Sequence, residues 1–122
     1  MFYLKDSDEM ILENLVPINS HEDLRLGDYV ICTDISTDSK VVLGLIGYIR
    51  EFDVLSSRPL VIYILNGEQR FTNCWYTDIK ALKKLGKNVC DYEHEEDIFE
   101  DINAELLREK VLERLSKGVS FE

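Results

Sequence analysis

The sequence contains few of the residues on which most enzymes and metal proteins depend. Its 122 residues include two histidines, three cysteines and one tryptophan. A hydrolytic triad needs a histidine held by a third group. His21 stands in a polar turn and His94 inside a run of acids, so we expect both to be solvated. The chain has no HExxH, EF-hand, Walker or Rossmann pattern. We therefore expect no enzyme, no catalytic residue, no bound metal and no cofactor.

The chain also lacks cysteine pairs and long apolar runs. Three cysteines cannot all pair within one chain, and no two have the CxxC spacing, which is typical of free thiols in a reducing compartment. The longest apolar run, Val41 to Ile49, is interrupted by two glycines and is far shorter than a membrane span. The acidic first residues do not resemble a secretory signal. We expect a cytoplasmic protein that does not contact a membrane.

The middle of the chain is rich in strand-forming residues. Strands are predicted from Leu24 to Ile35, Val41 to Phe52, Leu60 to Leu65, Glu68 to Tyr76 and Ile79 to Leu85. Asn66-Gly67 has the residues of a type I′ hairpin turn. Gly44 and Gly47 predict a bulge or tight bend. The pattern predicts an α+β, mainly β fold built on a small antiparallel barrel.

These strands resemble the SH3-like barrels of the Tudor and KOW type. The segments that carry the resemblance are Leu26-Gly27-Asp28-Tyr29-Val30, Gly44 to Ile49, Val61 to Gly67, and Thr77-Asp78-Ile79 with Leu82. The resemblance covers residues 24–85 and implies an SH3-like fold. It also suggests an alternative function, a Tudor- or KOW-like reader of RNA or a modified peptide.

Two adjacent aromatic residues are candidates for that reader. Trp75 and Tyr76 lie at the end of a predicted strand, and neighbouring strand residues point to opposite faces. One ring is therefore expected in the core and the other outside, where it can contact a partner.

Positive charge is scarce and unevenly placed. The formal net charge is −10, from 24 acidic and 14 basic side chains. Residues 91–122 hold 11 acids and 4 bases, and Asp91 to Asp101 has seven carboxylates and no base. This shift predicts a boundary near Lys87. We divide the chain into an N-terminal extension (1–23), the barrel (24–87) and an acidic helical arm (88–122).

The arm has apolar residues on two sides of a helical projection. Ile98, Phe99, Ile102 and Leu106 share one face, whereas Ala104, Leu107, Val111 and Leu115 lie nearly opposite. Either one helix contacts partners on both sides, or Asn103 caps a second helix that starts at Ala104. In the second case the helix pair either folds onto the barrel or offers one half to a dimer or another partner.

Carboxylates recur every four residues along the arm. On a single helix, neighbouring members of this set lie about 6 Å apart along the axis and form a ridge. They are Glu93, Asp97, Asp101, Glu105, Glu109 and Glu113. The ridge predicts a partner protein with a basic surface. The second apolar face, with Leu107, Val111 and Leu115, predicts a packed partner contact or a homodimer through the C-terminal helix.

The charge of the chain also affects whether it can bind nucleic acid. A net charge of −10 opposes direct binding to phosphates, and the only basic cluster is Lys80, Lys83, Lys84 and Lys87. In size and charge the chain resembles small acidic inhibitors encoded by phages or mobile elements, which would act in the host cytoplasm. We therefore expect a non-enzymatic interaction module, an inhibitor or regulator that presents a nucleic-acid-like acidic surface to a nucleic-acid-handling protein.

Overall fold

The computed structural model describes residues 8–33, 43–65, 68–75, 81–94 and 97–118. In chain order the helices and strands are α1 (Asp8–Glu13), β1 (Val16–Pro17), β2 (Asp28–Cys32), β3 (Ile46–Phe52), β4 (Pro59–Leu65), β5 (Glu68–Trp75), β6 (Leu82–Asn88), α2 (Ile98–Asp101) and α3 (Ala104–Ser116). Short 3₁₀ turns cover His21–Asp23 and Val89–Asp91. The predicted turn at residues 66–67 lies outside the described residues.

All the strands join one antiparallel sheet in the order β1-β6-β2-β3-β4-β5. The mainly β, antiparallel prediction is confirmed. The central strands form two consecutive hairpins, and β6 returns to pair with β2, where Asp28 lies opposite Asn88. In the described part of the chain, β1 and β5 are the two edges of the sheet.

Both faces of the sheet are buried at β2. Every residue of β2 is buried, which is the pattern of a strand covered on both sides rather than of one with a solvent face. On one face, Tyr29 and Ile31 belong to a cluster that α1, α2 and α3 cover. On the other, Val30 and Cys32 pack with Ile18 and with residues of β3, β4 and β6.

Gly44 and Gly47 have different roles at the start of β3. Gly44 has φ +79, a left-handed conformation that β-branched and bulky residues rarely adopt. The strand therefore begins at Ile46 rather than at Val41, and residues 41–42 lie outside the described part. A Cβ at Gly47 would stand 2.6 Å from the Ile62 carbonyl oxygen, so glycine lets β4 approach. The register shift between β3 and β4 falls later, between Ile49 and Glu51.

The C-terminal segment is a helix pair with its break at Asn103, as in the second of the two alternatives that the sequence left open. Ile102 and Asn103 have extended backbone, and the Asn103 side-chain oxygen accepts a hydrogen bond from the Leu106 N–H at 3.1 Å. Both helices lie on the sheet, because Ile98 of α2 and Leu107 of α3 are each 0% exposed in the cluster with Tyr29. The division of the chain at residue 87 stays a prediction, but α2 and α3 share a core with the sheet.

Candidate interaction surface

The predicted apolar contact on α3 faces the inside of this protein. Leu107 and Val111 are 0% exposed, and both pack in the helix-covered cluster with the sheet. Leu115 is half-buried at the margin of that cluster. The sheet already covers these side chains, and the partner contact expected for Leu107 and Val111 stays a prediction.

The predicted continuous carboxylate ridge is interrupted. The extended backbone at Ile102 and Asn103 separates α2 from α3, so the four-residue spacing continues on one helix only from Glu105 through Glu109 to Glu113. These three side chains are exposed. Glu113 pairs with Lys117 at 2.8 Å, and this hydrogen bond lowers the pKa of its carboxyl.

The remaining predicted acids lie before α3 and are held locally. Asp97 is half-buried, and its carboxylate accepts a hydrogen bond from the His94 N–H at 3.0 Å. Asp101 is exposed and accepts from the Tyr92 hydroxyl at 2.8 Å. Burial, together with this bond, raises the pKa of Tyr92, so the phenol stays a donor. Glu93 is exposed. Glu93 and Asp97 lie before α2 and Asp101 ends it, so these acids do not extend the acidic face of α3.

Two of the exposed acids of α3, Glu105 and Glu109, border an open groove of about 300 Å³. The groove lies between α3 and the end of the sheet where β3 begins and β4 ends. Its apolar floor consists of Leu45, Ile46, Ile64, Ala104 and Leu112. Its rim carries Glu105, Arg108 and Glu109. The surface that contains two predicted site residues, Glu105 and Glu109, is therefore both acidic and apolar.

Gly44 and Arg108 set the width of one side of this groove. A Cβ at Gly44 would stand 2.8 Å from the Arg108 Cγ, so glycine allows α3 to approach the chain that leads into β3. The Arg108 Nε also donates to the Leu43 carbonyl oxygen at 3.3 Å. Arg108 is thus tied to the end of the sheet, and we use the name α3 groove for this floor and rim.

Two leucines on α3 have the same exposure in different surroundings. Leu106 is 38% and Leu112 is 39% exposed, and a separation of six residues places them about 120° apart around the helix. Only Leu112 lines the α3 groove. The pair therefore separates the effect of the groove from that of an exposed leucine.

A larger cleft, of about 640 Å³, lies between β1, β6 and the turns beside them. Its charged and polar groups bind one another. The Lys84 Nζ donates to the Asp23 carbonyl oxygen at 2.7 Å and lies 3.7 Å from Asp28. The Asn88 amide donates to Asp28 at 2.9 Å and to the Leu26 carbonyl oxygen at 3.0 Å. These contacts join β2 to β6, so the polar side chains of the cleft have a structural role.

Two lysines of the predicted cluster near β6, Lys83 and Lys84, are held within the described part of the fold. Lys83 is 6% exposed, Lys84 holds the contacts just described, and Lys87 is half-buried. Lys80 lies outside the described residues. Trp75 lies in β5 opposite Leu60, and Tyr76 also falls outside the described part, so the expectation for these two rings stays a prediction.

A further exposed surface was missed by the sequence analysis. At the tip of the β3–β4 hairpin, Val54 and Leu55 are each 95% exposed. The polar residues around them fold back onto the turn, since the Leu55 N–H donates to the Asp53 carboxylate at 2.9 Å. The available signal was an apolar pair between turn-forming residues, Asp53 before it and Ser56-Ser57 after it.

Two other features are absent from the part of the chain that the structure describes. No group of three or more His, Cys, Asp or Glu side chains there is placed to hold a metal ion. No helix there has the length and apolar character needed to cross a bilayer. Comparison with protein-family models, with curated proteins and with solved structures gave no match.

Proposed function

We propose that this chain is a non-enzymatic protein-interaction module that binds a partner protein through the α3 groove. The observation that carries the proposal is an apolar floor beside two exposed carboxylates, Glu105 and Glu109, on a rim where Arg108 is tied to the Leu43 carbonyl oxygen. A partner segment with an aliphatic side chain between lysines or arginines matches this chemistry. The aliphatic group fills the groove and the cations lie against Glu105 and Glu109.

The charge of the whole chain supports a basic partner. A net charge of −10 raises the association rate with a positive surface and opposes association with a negative one. Basic surfaces of this kind are typical of proteins that handle nucleic acid. We therefore propose that the module is an inhibitor or regulator that occupies such a surface in place of the nucleic acid.

The same proposal includes an SH3-like barrel as the finer description of the sheet. In its support, β6 returns to β2 after a meander of three strands. Register shifts interrupt the β2–β6, β3–β4 and β4–β5 pairs, and bulges of this type bend strands and increase their twist. The cluster on the face opposite the helices is what the interior of a curled sheet requires.

A direct reader of RNA has less support. Lys83 is buried and Lys84 is bound to Asp23 and Asp28, so two of the four clustered lysines do not offer free charges to phosphate. A polarisation assay with generic RNA and DNA at low and moderate salt tests this alternative. Micromolar binding that weakens steeply with salt would favour the reader over the proposed module.

The test of the proposed function is affinity capture with matched charge variants. Full-length protein with Glu105→Lys and Glu109→Lys is compared with protein carrying Glu13→Lys and Glu22→Lys, two acids exposed on other elements. Both variants change the net charge equally. Bait from each is incubated with host-cell lysate, and bound proteins are quantified by mass spectrometry.

We expect a basic partner that the wild type and the control variant capture and that the α3 variant loses. With the partner purified, the α3 variant should associate at least about tenfold more slowly at low salt, because local charge steers encounter. If both variants lose the partner equally, net charge alone explains the loss and the α3 groove is not the contact. Equal retention would place the partner contact elsewhere and contradict the proposed use of the α3 groove.

A further inference from the structure

The strand β6 bulges where it borders the cleft of about 640 Å³ between β1, β6 and the turns beside them, which we call the β6 cleft. The register pairs Val30 with Lys84 and Asp28 with Asn88, so β2 advances by two residues while β6 advances by four. Bulges bend a strand and re-aim its side chains. Lys87 lies in this bulge and lines the β6 cleft.

Arg25 is a second cation that lines the β6 cleft. The Asn88 amide, next to Lys87, donates to the Leu26 carbonyl oxygen at 3.0 Å. The Arg25 N–H donates to the Asp28 carboxylate at 2.9 Å, and the same carboxylate accepts from the Asn88 amide. These bonds hold the loop that contains Arg25 against the end of β6 that contains Lys87.

Three of the four acids that line the described part of the β6 cleft already have hydrogen-bond donors. Asp28 has those just named, and Asp91 accepts from the Asn88 N–H at 2.9 Å. Asp23 accepts from two backbone N–H groups, which lower the pKa of its carboxyl. By contrast, no hydrogen bond or ion pair within the described residues holds the guanidinium or the ammonium of the two cations. The unused chemistry at this end of the cleft is therefore cationic.

The other end of the β6 cleft, around Lys84, offers an acceptor and an apolar wall. β1 pairs with Lys84 at Val16, and the Lys84 Nζ donates to the Asp23 carbonyl oxygen at 2.7 Å. Val16, which is 43% exposed, and the exposed Glu22 therefore line this end. Three strand residues separate it from Lys87, a distance of at most about 10 Å. A free carboxylate here accepts hydrogen bonds from hydroxyl groups and repels a second anion.

We propose that the β6 cleft binds a phosphate monoester whose organic part carries hydroxyl groups. The phosphate lies between Arg25 and Lys87, because two cations match one dianionic group and form charge-assisted hydrogen bonds with its oxygens. The hydroxyl groups donate to Glu22, and the carbon atoms of the organic part pack on Val16. A cavity of about 640 Å³ has the size of a small-molecule site and leaves room for the organic part beside the phosphate.

A single phosphate suits the β6 cleft better than a polyphosphate or a nucleic-acid backbone. Glu22 and the net charge of −10 oppose a second phosphate at the other end of the cleft. Repulsion of one small anion by distant acids is screened beyond about 8 Å at physiological salt, so the contacts with the two cations dominate. The β6 cleft shares none of its described lining residues with the α3 groove, so the ligand and the partner protein are independent proposals.

Nuclear magnetic resonance titration of the full-length protein with ribose 5-phosphate tests the site. Two variants of equal charge are compared with the wild type: Arg25→Gln with Lys87→Gln (the cleft variant), and Arg50→Gln with Lys117→Gln (the control). The control cations are exposed on β3 and at the end of α3. Thermal melting first establishes that each variant is folded.

We expect the wild type to bind ribose 5-phosphate with a dissociation constant below about 1 mM. The amide resonances of Gly86 and Lys87 should move during the titration. The cleft variant should bind at least about tenfold more weakly, because it loses charge-assisted hydrogen bonds. The control should change the affinity less than about twofold, because its cations lie outside the cleft and are screened.

Further probes separate the phosphate from the organic part and a free ligand from a lipid. Inorganic phosphate should move the same amides at higher concentration, and ribose alone should move none. Glu22→Gln should weaken binding of ribose 5-phosphate but not of inorganic phosphate, a result that does not depend on the folding of the cleft variant. Vesicles that contain phosphatidylinositol 4-phosphate carry the same chemistry on a lipid. We expect no protein to sediment with them, because anionic leaflets repel a chain of net charge −10.

The proposal is overturned if ribose 5-phosphate at about 10 mM moves no amide of β6, or if the control loses as much affinity as the cleft variant. Equal affinity for inorganic phosphate and ribose 5-phosphate would contradict the contact with the organic part. Binding to the vesicles without binding to ribose 5-phosphate would replace the soluble ligand by a lipid headgroup and contradict the proposal as well.

Discussion

The two faces of α3 carry the same kinds of residue in different surroundings. On the inner face, Leu107 and Val111 are 0% exposed against the sheet. On the outer face, Leu106 and Leu112 are 38% and 39% exposed among carboxylates. The inner face stabilises the fold, and the outer face is exposed. The difference teaches that fold and proposed function depend on different side chains of one helix, so mutation can separate them.

The largest expected effect comes from removing the inner face altogether. A chain that ends at Asp91 loses Ile98, Ile102, Leu107 and Val111, all 0% or 1% exposed. Each such side chain stabilises the fold by about 1.5–3 kcal/mol, and a whole domain is stable by only about 5–15 kcal/mol. We expect the shortened chain to lose its cooperative thermal melt. A sharp melt would instead support residues 24–87 as a separable unit.

A smaller effect is expected from single substitutions that compare the two faces. Leu107→Ala should lower the free energy of unfolding by about 2–5 kcal/mol, the range for a buried leucine. Leu112→Ala should lower it by less than about 1 kcal/mol, as for an exposed position. Urea denaturation measures both. Equal losses would mean that Leu112 belongs to the core and that the α3 groove is not an independent surface.

Loss of the cap at the start of α3 should lower the free energy of unfolding by less than loss of a buried leucine. Asn103→Ala removes the hydrogen bond to the Leu106 N–H, and loss of such a cap costs about 1 kcal/mol. Asn103→Asp keeps an acceptor and serves as the control. Urea denaturation and amide hydrogen exchange at Leu106 should both detect the loss. Unchanged exchange in Asn103→Ala would show that inner-face packing alone holds the first turn.

The smallest expected effect concerns pH and the hairpin tip. The hydrogen bond from the Leu55 N–H, with contacts to Ser56 and Arg58, lowers the pKa of Asp53 below 3.8. Because folding lowers this pKa, the contribution of the Asp53 carboxylate to stability is present above pH 3.8. It is lost as the pH falls through the pKa of the folded state. The Leu55 amide resonance should move in that acidic range and stay constant near neutrality. In Asp53→Asn the movement should vanish; if it persists, another group is responsible.

Much of the fold follows from local signals in the sequence. β3, β4 and β5 end within a residue of their predicted ends, because runs of β-branched and aromatic residues between turn signals leave few alternatives. A break at Asn103 was one of the two alternatives for the arm, since asparagine is a preferred cap. β6 begins at Leu82, and residues 79–80 of the predicted strand lie outside the described residues. Gly86, expected at a boundary, lies inside β6 with φ +77.

The candidate surface was only partly predictable. Glu105 and Glu109 were identified, but the side of α3 that meets the sheet was not, because the direction of a helix after a break depends on tertiary packing. One straight helix would have aligned Glu93 with Glu105, and the extended residues at Ile102 and Asn103 prevent this. The tip at Val54 and Leu55 was missed because a turn is expected to carry polar residues at its end.

The pairing of β2 with β6 has a consequence for the order of folding. The β3–β4 and β4–β5 hairpins join neighbouring segments, whereas the contact between Asp28 and Asn88 spans 60 residues. Long-range pairings of this kind form slowly. During synthesis the apolar strand β2 leaves the ribosome well before β6. Until β6 emerges, the edge of β2 that pairs with β6 has no partner. The period of greatest aggregation risk for this chain is therefore the interval before β6 is made.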